Sequence, residues 1–89
     1  MNIVLTQPHY SDNMWALFLS ASDSARFLLQ GEGVYLIQSA PDKLTSLRTL
    51  FVLESDIKQR SVALIKHATP CSLTVWLENA ANDLPWATF

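Results

Sequence analysis

Residues 25–38, ARFLLQGEGVYLIQ, decide the fold. An apolar run through Phe27, Leu28 and Leu29 closes on Gln30, the turn Gly31-Glu32-Gly33 follows, and a second apolar run restarts at Val34. A short apolar run that ends at a glycine pair and resumes as a helix is the strand-to-helix corner of an α/β sheet. Ligands and partners of such sheets gather at that corner. The glycines do not make a dinucleotide fingerprint, because the third glycine of G-x-G-x-x-G would fall at Leu36, and Glu32 would repel a phosphate. Gly31 and Gly33 are therefore structural turn residues, and Gly33 is expected to take a positive φ or to allow close strand–helix approach.

Working outward from the corner, residues 2–6 carry Ile3, Val4 and Leu5 in succession, the pattern of a strand buried on both faces, and Pro8 ends it. Ser11, Asp12 and Asn13 offer N-cap oxygens for a helix over 14–21 that is apolar around most of its circumference. Residues 25–29 form the second strand. A helix of about two turns over 34–40 is then expected to stop at Pro41 and Asp42, which impose a loop. Residues 48–53 supply the β-branched and aromatic content of a third strand. Ser55 and Asp56 cap a surface helix in which Ile57, Ser61, Leu64, Ile65 and Ala68 recur at helical spacing, with Pro70 closing it. Residues 72–77, with Leu73, Val75 and Leu77 alternating against Trp76, read as a fourth strand, and residues 78–89 as a helical turn and an aromatic tail.

Alternating strands and helices give a single α/β domain over residues 1–89, a three-layer α/β/α arrangement with a mostly parallel sheet of about four to five strands. A chain of 89 residues has little core to spare. Charged residues make up 16%, against about 25% in an ordinary globular chain, and three Trp, two Tyr and four Phe exceed what so small an interior holds. Part of the apolar set must lie outside the core, where a partner covers it. Trp15, Phe18 and Tyr35 are the interface candidates, and the three tryptophans are expected to divide between core and subunit contact.

The net charge of −2 and six scattered Lys and Arg argue against direct nucleic-acid binding. The opening MNIVLTQPHY has no basic Lys or Arg and breaks at Pro8, which fits neither a leader nor a membrane span, so a cytoplasmic protein is expected. One cysteine, Cys71, excludes an intramolecular disulfide and a thiolate zinc site. Cys71 follows the helix-breaking Pro70, where it would be reactive if a helix terminus or Lys66 lowered its pKa, and inert if it is a small buried hydrophobe. His67 is expected to cap a helix C-terminus, and Asp56 to act as a cap and dipole partner rather than a catalytic carboxylate. No catalytic constellation, cofactor motif or metal-ligand spacing is present in the sequence.

The opening strand, the corner LLQGEGVYLI, the segment LFVLESDIKQR at residues 50–60 and a late strand followed by Trp86 resemble the DsrH/TusB group of DsrE/F/H-like sulfur-relay proteins. Gln30, Gly33 and Val34 match that group's turn, and Leu53, Asp56 and Arg60 match its Leu-x-x-Asp-x-x-x-Arg helix start. The turn here carries an added glycine, and Ser61 stands where a glycine is usual after the arginine. The resemblance implies a non-catalytic subunit that works with related DsrE/F-like (TusC/TusD-like) subunits in a homo- or hetero-oligomer. Such assemblies pass a persulfide toward tRNA wobble-uridine 2-thiolation or toward sulfur oxidation. Members of the DsrH type can carry a cysteine near the first helix, and this chain has none there. The alternative from another class is a small sulfurtransferase that carries persulfide on Cys71 itself.

Overall fold

The structure, a computed structural model, describes residues 1–81 and 85–89. Five strands form one sheet in the order β4-β3-β2-β1-β5, and every neighbouring pair is parallel. The strands are β1 (Asn2–Leu5), β2 (Arg26–Leu29), β3 (Leu50–Leu53), β4 (Thr69–Cys71) and β5 (Trp86–Thr88). Between them run α1 (Asp12–Ser20), a 3-10 turn (Gly31–Tyr35) continuing into α2 (Leu36–Ser39), α3 (Pro41–Thr45), α4 (Glu54–Arg60) and α5 (Leu73–Ala80).

From β1 to β4 each crossover steps one strand in the same direction, and the last returns across the whole sheet to β5. Because parallel crossovers are right-handed, the first three must lay their helices on one face and the last on the other. The cores agree. Ile3, Leu5, Phe27, Leu29, Leu50 and Val52 point into the main core with Trp15 and Phe18 of α1, and Ile57 of α4 packs against it. Val4, Leu28, Leu53 and Cys71 point the other way and meet Trp76 and Ala80 of α5. The register places Ile3 beside Phe27 and Leu29 beside Val52, so side chains of one parity line each face. The domain is thus α/β with helices on both sides of a parallel sheet.

Three sequence readings are corrected. The helix after β3 ends at Arg60 rather than reaching Ala68, because Ser61 turns left-handed at φ 54°. The Ser61 N–H then bonds the Lys58 carbonyl and the Val62 N–H bonds the Ile57 carbonyl, closing a Schellman motif. Residues 73–80 are a helix, not a strand: Ser72 caps it, its Oγ accepting from the Val75 N–H at 3.2 Å. The strand lies just upstream at Thr69–Cys71, where Pro70 is tolerated because β4 is an edge. Pro41 does not impose a loop but opens α3 from its first turn, where a missing N–H costs nothing. The aromatic tail supplies β5, paired to β1 as Asn2 with Trp86 and Val4 with Thr88. The helical turn expected over 78–89 falls partly on residues 82–84, outside those described.

Candidate functional site

All strands being parallel, their carboxyl ends share one rim, and the loops after β1, β2, β3 and β4 converge there. Adjacent strands whose outgoing connections leave for opposite faces open a crevice between them, the topological switch point of an α/β sheet. In this order the switch lies between β3, which leads to α4, and β4, which leads to α5. A crevice of about 340 Å³ occupies that place, walled by Glu54, Ser55, Lys58, Ser72 and Leu73.

Lys58 Nζ lies 2.8 Å from Glu54 Oε1, one turn apart on α4. The hydrogen bond from Lys58 holds the Glu54 carboxyl below the usual carboxylate range, and the same bond raises the Lys58 ammonium. Both are open to solvent, so the pair sets the charge of the crevice lip more than it stabilises the fold.

Cys71 stands beside this crevice, at the end of β4, but turned inward. It is 8% exposed and belongs to the second core. Burial pushes its thiol above the ordinary range; the Arg26 guanidinium pulls it down, and Glu54 adds a further upward push. Arg26 itself lies over the rings of Phe51 and Trp76, 5.0 and 5.1 Å from their centroids. The charges that act on the thiol are Arg26 and Glu54 rather than Lys66, and burial, the largest influence, favours the protonated form, in keeping with the inert alternative.

The corner glycines meet the helix-start motif. The Gly31 N–H donates to Asp56 Oδ2 at 2.7 Å, while Arg60 Nη1 lies 3.4 Å from Asp56 Oδ1. Asp56 therefore does not cap its own helix, as the sequence reading had it. Leu53 holds the N-cap position, and the carboxylate reaches across to the loop after β2. The Gly31 N–H, an anion donor in principle, is taken by the chain's own carboxylate. Gly31 has φ +58°, and Gly33 is packed so tightly on β1 that a Cβ there would lie 1.9 Å from the Leu5 carbonyl oxygen. Close approach, one of the two roles expected of Gly33, is thus its role, and positive φ falls to Gly31.

A second, smaller hollow of about 150 Å³ lies after β1, lined in part by His9, Tyr10, Asp12 and Lys43. The Tyr10 hydroxyl is committed to structure: it donates to the Phe89 carbonyl at 2.8 Å and accepts from the N–H groups of Thr6 and Gln7. Among the described residues no group of three His, Cys, Asp or Glu is placed to hold a metal ion.

Other sequence candidates land elsewhere. Trp15 and Phe18 are inside the main core, 3% and 0% exposed, in edge-to-face contact with each other and with Tyr10. As surface anchors both are corrected, since the chain's own helices and sheet cover them; Tyr35 is half-buried against the same core. Of the tryptophans only Trp86 is exposed, at 40%. The surface apolar residues are instead Leu17 and Leu19 of α1, Leu64, and Leu73, Val75 and Leu77 of α5. His67 caps no helix, α4 having ended upstream; its Nε2 donates to the Leu47 carbonyl. Sequence reasoning missed Glu54, Lys58 and Ser72, since the crevice depends on where α5 begins. Among the described residues no helix is long and apolar enough to cross a membrane. No protein-family model matches the chain, and no curated protein matches it either.

Proposed function

We propose that this chain is a non-catalytic subunit of a DsrH/TusB-like sulfur-relay complex. In this role it supports persulfide transfer on a related DsrE/F-like subunit, for tRNA wobble-uridine 2-thiolation or a related sulfur oxidation pathway in the cytoplasm. The resemblance supplies the pathway. The motif aspartate Asp56 accepts from the N–H of Gly31, the glycine added to the turn, so the helix start and the corner are tied together at the carboxyl rim and this carboxylate has a structural task there.

The observation that carries the accessory role is the state of Cys71. A persulfide carrier needs an accessible thiolate, and this thiol is buried with its pKa raised. Replacing Cys71 with Ser should leave thiolation output near wild type in a complementation assay, and iodoacetamide should label the native thiol far more slowly than the unfolded one. Complete loss of output in a folded, assembled Cys71→Ser variant would transfer the role to a sulfurtransferase acting through Cys71.

A further inference from the structure

The two edges of the sheet are built differently. β4 has Pro70 at its centre, which withholds a backbone donor and blunts that edge. β5 has no such device: residues 85–89, Pro-Trp-Ala-Thr-Phe, carry no side-chain charge, and among the described residues no strand covers their outer side.

The inner bonds of β5 fix which groups face out. The Asn2 N–H donates to the Pro85 carbonyl at 2.9 Å and the Phe89 N–H to the Val4 carbonyl at 2.8 Å. In a parallel ladder bonding residues alternate, so 85, 87 and 89 turn toward β1, and Trp86 and Thr88 present their N–H and C=O groups to the open side. We propose that β5 pairs with β5 of a second copy of this chain, antiparallel across a two-fold axis between the two Ala87 residues, joining the sheets of two protomers into one.

That register sets Trp86 opposite the second copy's Thr88, a hydrogen-bonded pair in which each residue uses both outward backbone groups, and repeats it on the other side of the axis. The aromatic against β-branched pairing is favourable on a sheet face. A second copy is the occupant the edge fits. With no charged side chain in residues 85–89, two β5 strands set no like-charged side chains against each other, and Pro70 discourages the alternative β5-to-β4 contact that would run on as an open polymer. The edge is three residues long, so the dimer forms reversibly with concentration.

Sedimentation velocity of the whole chain across a range of concentrations should show the average mass rising toward two chains. Thr88→Pro, which deletes an outward N–H and none of the β1 bonds, should hold it at one chain with an unchanged circular dichroism spectrum. In a Cys71→Ser background, Ala87→Cys places two thiols at a non-hydrogen-bonded antiparallel pair about 4.5 Å apart at Cα, within disulfide reach, and should oxidise to a covalent dimer. Thr88→Cys should not. The crosslink decides even if Thr88→Pro disturbs folding. Monomer at every concentration, equal crosslinking at 87 and 88, or a strand of a different protein taken up at β5 in place of the copy would overturn the proposal. The pairing does not depend on the sulfur-relay reading, and the complementation assay tests that reading separately.

Discussion

Gly33 shows how far one atom can decide a corner. A methyl group there would enter the van der Waals space of the Leu5 carbonyl, which is main chain of a central strand and cannot swing aside. Gly33→Val should therefore cost about 3 kcal/mol or more, read as a lowered urea midpoint; a variant as stable as wild type would mean that the 3-10 turn does not rest on β1. Asp56 is the polar counterpart at the same corner. Its carboxylate serves a backbone N–H and an arginine, and both it and Arg60 are largely shielded from solvent. Removing it with Asp56→Ala leaves the Gly31 N–H without its acceptor, at an expected cost of about 2 kcal/mol for a charge-assisted hydrogen bond. The double variant with Arg60→Ala should then lose much less than the sum of the two single losses.

At the scale of elements, helix ends explain what the sequence concealed. The periodic apolar positions after Asp56 run on to Ala68, but Ser61 in a left-handed conformation ends α4, and Val62 folds back to Ile57. A serine does not by itself announce that conformation, which glycine adopts at no steric cost; the only hint was that the resembled group usually has a glycine at this position. Ser61→Gly should raise stability by about 1 kcal/mol, seen as a rise of several degrees in Tm. The α5 stretch was ambiguous for a different reason. Leu73, Val75 and Leu77 alternate like a strand, whereas the buried pair Trp76 and Ala80 is spaced one helical turn apart and is only two residues in number. The decisive signal was Ser72, an N-cap residue, and Ser72→Ala should cost about 1 kcal/mol, with the loss concentrated in faster amide exchange over residues 73–76. By contrast β1, β2 and β3 were legible to within two residues at either end, because unbroken apolar runs between turn residues have few other uses in a small domain.

For the whole molecule, the alternation of strands and helices was enough to foresee a parallel sheet, but not that its final crossover returns past three strands to place α5 alone on the second face. That return makes the switch crevice, and it puts Cys71 under α5 instead of at the surface. It also couples the fold to alkaline pH. Burial raises the Cys71 thiol, and burial likewise raises the Tyr10 phenol against the opposing pull of the Gln7 and Thr6 N–H groups. Each group therefore holds its proton more tightly folded than unfolded. Below the unfolded-state pKa values both states are protonated and the full stability is present. As pH climbs past about 8.5 for a free thiol and roughly 10 for a free phenol, the unfolded chain releases its protons first, and stability falls until the folded pKa values are passed. Ionised Tyr10 would also lose its donation to the Phe89 carbonyl, the bond that ties the first loop to the tail. Urea midpoints measured from neutral pH upward should hold steady and then decline in two overlapping steps. Cys71→Ser should remove the lower step and Tyr10→Phe the upper. A stability flat across the alkaline range in wild type would mean that both side chains reach solvent in the folded state, and with it that Cys71 is free to react.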